Sequence, residues 1–297
     1  MHKQWRLNAL RGLSILFLGY ATSTLGVAMA ESNPETILRA KYISLESQLR
    51  QNQFKRPLVL DSIESSNRLQ GDIYALVDYP FATVNSALND PAHWCDVLIL
   101  HPNTKYCHAS GTGAGSVLSV NIGRKTEQEL SESDRMDFKY RTVAAAKDYF
   151  KMELDAASGP LSTKDYRIAV EAVSLKNNLT FLHLTYAYGF GMAGRMAMKT
   201  YLATSGRRKV GFTTTGAQPG QYIGGLRGLI ERNAMRYYLA IDSYLGSLAG
   251  TPDTRLDKRL SDWFNATERY PQQLHDVDRQ DYLLMKHNEY KRQQAAL

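Results

Sequence analysis

The sequence predicts an α+β fold: a curved antiparallel β-sheet gripping a long C-terminal helix, with extra helices at both ends. Three observations carry this prediction. From residue 116 to about 215, apolar and polar residues alternate in successive runs broken by turn residues. In "DYFKMELDA", Phe150, Met152 and Leu154 fall on one face and Lys151, Glu153 and Asp155 on the other, as in a sheet with one solvated face. Residues 222–248 then hold the longest helical stripe, with Ile223, Leu226, Ile230, Tyr237, Ile241, Tyr244 and Leu248 near one side. A helix of that length needs a broad apolar partner, and the concave face of the preceding meander has the size for it.

The elements follow in order. Asn33-Pro34-Glu35 starts a helix with an N-cap, a first-turn proline and an early acid. Ile37, Tyr42, Leu45 and Leu49 give it a loose stripe to about residue 50, outside the main pattern. "PLVLDSIES" and "GDIYALVDYPF" read as strands, the second placing Ile73, Ala75, Val77 and Tyr79 on one face until Pro80 stops it. Phe81, Val84 and Leu88 have helical spacing; Asn89-Asp90-Pro91 breaks it, and a second short helix runs through Trp94.

In the meander, "ASGPLSTKD" turns the chain into "YRIAVEAVSL", and Asn177-Asn178 makes a tight turn into "LTFLHLTYAYGFG". That last run has Leu182, Leu184, Tyr186, Tyr188 and Phe190 on one face and Phe181, His183, Thr185 and Ala187 on the other; Ala187 is read as a small residue facing the interior. "RMAMKTYLATSG" and "RKVGFTTT" read as two further strands. The glycine-rich "TTTGAQPGQYIGG" leads into the long helix, and beyond Gly250 come two more helices, the last polar and frayed.

Residues 1–30 read as a secretory signal peptide. Lys3, Arg6 and Arg11 precede the apolar "LSILFLGYATSTLGV", and Ala28-Met29-Ala30 is a small-x-small cleavage pattern near Ala30. An uncleaved anchor is the alternative, for which the run is short and interrupted by Thr22, Ser23 and Thr24. The expected location is periplasmic or secreted. A mean hydropathy of −0.37 agrees with a soluble protein. Cleavage leaves 267 of the 297 residues and lowers the net charge from +7 to +4. With a pI near 9.2, an anionic membrane surface is favoured for transient contact. No Lys/Arg run is interleaved with aromatics, which speaks against nucleic acid as a partner.

"HWCDVLILHPNTKYC" contains Cys95 and Cys107, 12 positions apart and the two cysteines of the chain. In an oxidising compartment the pair is read as a disulfide. Two buried thiols, a thiolate activated by His93, His101 or His108, and a zinc site without the usual ligand spacing are the alternatives. "GTGAGS" at 111–116 lacks the Lys-Ser/Thr ending of a phosphate loop and reads as a flexible turn.

Strand, two short helices, antiparallel meander and one long final helix, together with the texture of "YPFATVNSALNDPAHWCDVL", resemble the START-like (helix-grip, SRPBCC) superfamily of lipid and hydrophobic-ligand binders, here as an exported bacterial member. The superfamily also includes polyketide cyclases and coenzyme Q-binding proteins. The resemblance covers residues 57–249, leaving 31–56 as an N-terminal helix and 250–297 as a C-terminal helical extension. The added helices, the export signal and the cysteine pair depart from the family.

The resemblance implies a cavity between sheet and long helix, where apolar ligands gain about 25 cal/mol per Å² on leaving water. Ligand-cavity candidates that would orient a head group are His183, Tyr186, Tyr188, Arg195 and Tyr201, with His101 beside Lys105 at the mouth; each also reads as a structural residue. Loop 213–222, with Gly216, Pro219 and Gly220, stands where that fold joins its last strand to the covering helix and reads as an entry gate or a plain connection. The expected function is periplasmic binding or transport of a lipid or other hydrophobic small molecule. No catalytic residue, metal or cofactor is assigned. One alternative is an enzyme, a cyclase, hydrolase or isomerase acting on an apolar substrate with His101 or His183 as base. Another is a module whose cavity is filled by its own side chains.

Overall fold

A computed structural model describes residues 33–204, 206–216 and 220–295. The expected signal peptide, and Pro219 of the expected gate, lie outside the described residues. The elements are α1 (Pro34–Arg50), β1 (Leu58–Glu64), β2 (Arg68–Val77), α2 (Phe81–Leu88), α3 (Pro91–Leu98), β3 (Thr104–Ser110), β4 (Val117–Ile122), β5 (Asp134–Ala145), β6 (Tyr149–Gly159), β7 (Thr163–Ser174), β8 (Thr180–Phe190), α4 (Met192–Ala203), α5 (Gly225–Ser247), α6 (Pro252–Thr267), α7 (Pro271–Leu274) and α8 (Arg279–Ala295). The strands form one antiparallel sheet in the order β1-β2-β8-β7-β6-β5-β4-β3, with the long helix α5 across it, so the expected fold class is present.

Local chemistry explains the joints. The Asp90 carboxylate accepts from the Ala92 amide at 2.9 Å and caps α3, and Pro91 fills its first turn. Asn177 and Asn178 both take positive φ, 61° and 58°, in the tight β7–β8 turn, a conformation asparagine tolerates. Bulges between Thr142 and Ala144 and between Lys164 and Arg167 bend β5 and β7.

α5 seats directly on β2. A Cβ added at Gly71 would lie 2.9 Å from the Ala234 Cβ, so glycine lets the helix reach the sheet there. Away from the sheet, α5 is covered by α3, α6 and α7, and α8 packs on α6 and β3. Leu260, Trp263, Phe264, Leu274, Tyr282 and Met285 of these helices join the same core as the inner face of the sheet. α5 is therefore buried nearly all round rather than along one stripe, and its charged residues Glu231, Arg232 and Arg236 are inside. On the opposite face of the sheet α1 packs Leu38, Leu45 and Leu49 against Val59, Tyr149, Val173 and Phe181.

Three expectations are corrected. "RMAMKTYLATSG", residues 195–206, reads as a strand in sequence, but Met192–Ala203 form α4: methionine, alanine, lysine and leucine are good helix formers, and their alternation mimics a strand. Gly194 lets this helix approach the 160–162 turn, where an added Cβ would meet the carbonyls of Leu161 and Ser162 at 3.1 and 3.0 Å. Residues 208–215 form no strand either, beyond a single Thr214–Tyr222 bridge. A buried carboxylate holds this segment instead. Glu231 accepts from the amides of Phe212 and Thr213 at 2.6 and 2.9 Å and from the hydroxyls of Thr213 and Ser62 at 2.6 and 2.5 Å.

The last correction is α8, which is anchored rather than frayed, because its polar residues point inward. Lys286 Nζ donates to the carbonyls of His101 and Thr104 at 2.8 and 2.7 Å and to Glu289 at 2.6 Å. Lys105 Nζ reaches the other oxygen of Glu289 at 2.9 Å, and Gln293 accepts from the Cys107 amide at 3.2 Å.

Candidate functional site

The inner face of the sheet carries a continuous line of rings. Tyr166 of β7 stacks on Tyr188 of β8 at 5.0 Å, Tyr188 lies 5.8 Å from Tyr186, and Tyr186 meets Tyr237 of α5 at 4.9 Å. Tyr237 in turn stacks on His101, just beyond α3, at 5.0 Å. The hydroxyls are partly engaged: Tyr166 shares a hydrogen bond with Thr163 at 2.6 Å, and Tyr188 donates to the Met198 sulfur at 3.6 Å. Burial pushes the Tyr166 phenol up to about 12 and those of Tyr186, Tyr188 and Tyr237 higher still, so these groups stay neutral.

His183 lies on the opposite face, away from α5, because strand alternation that sends Tyr186 and Tyr188 inward sends residue 183 outward. Ala187 shares that outer face, so it does not line the interior as expected. His183 Nε2 lies 2.9 Å from Asp72 Oδ1 and Nδ1 lies 2.8 Å from Glu171 Oε1, under a Tyr74 ring stacked at 4.1 Å. With both nitrogens on carboxylates, His183 has none left for a ligand or for base chemistry.

Burial alone would lower the His183 pKa, but the hydrogen bonds and charges of Asp72 and Glu171 outweigh it and raise the pKa above its ordinary value. Burial would raise both carboxyls, but the bonds from His183 and from Thr185 or Tyr149 hold them low. A raised imidazole contributes in full below about pH 6.5 and loses its contribution as pH rises through the folded value; the lowered carboxylates contribute above about pH 4 and lose it on further acidification. The stabilisation lost in His183→Asn is therefore expected to be larger at about pH 5.5 than at about pH 9, by urea denaturation of variant and parent. An equal deficit at both pH values would refute this account of the cluster.

The other candidates are dispersed. Arg195 lies on α4, its guanidinium 5.1 Å from the Phe190 ring and donating to the Ser66 carbonyl. Tyr201 is half-buried on the same helix, near Arg232. Lys105 is fully buried in the α8 anchor and shares no cavity mouth with His101. His101 is itself buried; Nδ1 accepts from the Asn103 amide at 3.2 Å, and Nε2 has no hydrogen-bond partner among the described residues. Burial first, then the charges of Arg236, Lys125 and Lys286, hold its pKa well below the usual histidine range. Of the two histidines considered as a base, His101 keeps a nitrogen available.

Beyond His101 lies a cluster that sequence reasoning missed. Arg236 Nη2 and Lys125 Nζ both bind Asp276 at 2.6 Å, and Lys209 Nζ approaches the same carboxylate at 3.5 Å. Arg232, one turn earlier on α5, donates to the Val210 carbonyl at 3.2 Å. Arg232 and Arg236 are each 1% exposed, yet Nη2 of the first and Nε of the second have no hydrogen-bond partner among the described residues. Burial and the neighbouring Arg236 charge push Lys125 down to about 7 and Arg232 to about 10, and the same cations hold Asp276 far below the ordinary carboxylate range against its own burial. The available signal was two arginines at i,i+4 inside the long helix that the sequence places across the sheet.

Cys95 of α3 and Cys107 of β3 form a disulfide with Cα atoms 5.2 Å apart, which settles the alternatives left by the sequence. The link closes a 12-residue separation around His101 and contributes about 3 kcal/mol by restricting the unfolded chain. Two outer grooves lie elsewhere: one of about 580 Å³ beside His93, Asp96, Tyr244 and Arg255, and one of about 330 Å³ between α1 and β2.

A curved antiparallel sheet holding a long helix against its inner face, with a ring-lined contact between them, defines a helix-grip protein by architecture. No protein-family model matches the chain, and no curated protein sequence does. Among solved structures, norcoclaurine synthase from Thalictrum flavum in complex with dopamine and hydroxybenzaldehyde is similar at 12% identity and TM-score 0.37, covering 65% of this chain and 91% of that one. Ara h 8.0201 is similar at 11% identity and TM-score 0.35, covering 61% and 99%. Human StAR-related lipid transfer protein 5 is similar at 8% identity and TM-score 0.33, covering 57% and 88%.

Proposed function

We propose that the protein binds a lipid or other hydrophobic small molecule between the sheet and α5, and that it does so in the periplasm as a carrier. The observation that carries this reading is the line Tyr166–Tyr188–Tyr186–Tyr237–His101 on the inner face, which offers apolar ring surface with polar tips. The ligand belongs on the β5–β8 side, since α5 is pressed onto β2 at Gly71. The disulfide supports an oxidising compartment. Contact with a membrane is supported by Met192 and Met196 of α4 and Leu161 of the adjoining turn, which are 81%, 64% and 56% exposed.

A second reading, a core filled by the chain's own side chains, is favoured by the full burial of Ile230, Ala234 and Met235 against the sheet. Native mass spectrometry separates the two. Protein purified without detergent from an exporting host is expected to carry a non-covalent mass excess that organic extraction removes, on a chain beginning near Glu31. A bare chain mass in every preparation would move the assignment to the filled core.

A further inference from the structure

We propose that Arg232 and Arg236, with Lys125 and Lys209 at the rim, receive the phosphate group of an amphiphilic phosphate monoester, which rests on the hydrophobic-ligand reading above. Four cations gather around Asp276, and they outnumber it. Buried guanidinium groups are costly unless paired, and here Nη2 of Arg232 and Nε of Arg236, at 1% exposure, have no hydrogen-bond partner among the described residues. His101 Nε2, held within electrostatic reach of Arg236, is a third such atom. The structural hydrogen bonds of the cluster therefore leave donor capacity and positive charge in excess.

A phosphate monoester carries about −1.5 to −2 charges at pH 7 and three acceptor oxygens, so it offsets more of this excess than a carboxylate would. Guanidinium groups suit it because their planar fork can engage two oxygens at once. Arg236 immediately precedes Tyr237 on α5, and the Tyr237 ring stacks on His101, so the cluster meets the aromatic line at that end. An alkyl chain lying along the tyrosines would thus end at the arginines. Lys125 and Lys209 side chains are 24% and 22% exposed, which gives the charged end a route to solvent.

The test compares three probes by equilibrium binding: hexadecyl phosphate, hexadecanol and inorganic phosphate. Hexadecyl phosphate is expected to bind at least about tenfold tighter than hexadecanol, and Arg232→Gln to abolish that preference while leaving hexadecanol unaffected. Because Arg232 is buried, cooperative unfolding of the variant is checked, and Lys125→Gln at the rim repeats the comparison. Equal affinity for the two alkyl probes overturns the phosphate site and leaves the hydrophobic-ligand reading standing. Binding of inorganic phosphate with neither alkyl probe retained overturns the amphiphile in favour of a free anion. Failure of all three probes removes both the site and the reading beneath it.

Discussion

Replacing Glu289 by glutamine is expected to destabilise the protein by about 3–5 kcal/mol at neutral pH. The carboxylate bridges Lys105 and Lys286, both 0% exposed, at 2.9 and 2.6 Å. Glutamine keeps the shape and removes the charge, so two ammonium groups lose the counter-ion that accompanies them into the core. Burial pushes Lys286 down to about 8 and also lowers Lys105, and loss of Glu289 pushes both further. A lysine with a lowered folded pKa loses its proton on folding, so stability rises with pH through the interval between folded and unfolded values. The deficit of Glu289→Gln should therefore shrink between about pH 7 and about pH 9.5 in chemical denaturation. A deficit under about 1 kcal/mol at neutral pH would mean that α8 is held by its apolar contacts alone.

Ile230→Asp is expected to abolish cooperative folding. Ile230 is fully buried, and its backbone oxygen and Cγ1 would lie 3.4 and 3.6 Å from a Cβ at Gly71, so no relaxation opens this contact to water. Lost burial and a desolvated carboxyl group together cost at least about 5 kcal/mol, comparable with the whole stability of many domains. Ile230→Val, which removes one methylene, should cost about 1 kcal/mol and leave the melt cooperative. A cooperative Ile230→Asp melt near the parent temperature would show that α5 is not seated on β2.

Much of this fold was legible in sequence because period carries it. Phe150, Met152 and Leu154 alternate in β6, and Leu226, Ile230 and Ile241 mark α5 at helical spacing. α4 was not legible, since Met196 and Met198 alternate in a run of helix formers whose identity is decided by packing on the 160–162 turn. α8 was misjudged because charge is normally a mark of solvent, whereas Lys286 and Glu289 are anchors. The face of His183 was available from parity with Tyr186; its two carboxylate partners, on β2 and β7, were not. Arg232 and Arg236 were visible as residues but not as a cluster, because Lys125, Lys209 and Asp276 come from three distant loops.

The sheet joins β2 to β8, and Val77 pairs with Thr180, so the ladder spans more than a hundred intervening residues. Such a pairing brings a large loop-closure entropy, and topologies rich in non-local contacts reach their transition state slowly. A nascent chain that emerges N-terminus first must hold the β1–β2 hairpin without its neighbour until β8 arrives. The inner edge of β2 is unpaired during that interval, with Leu69, Ile73 and Ala75 destined for a core not yet assembled. The most aggregation-exposed stage of this protein's life is therefore the wait between its second and its eighth strand, and assistance to folding would act on that hairpin.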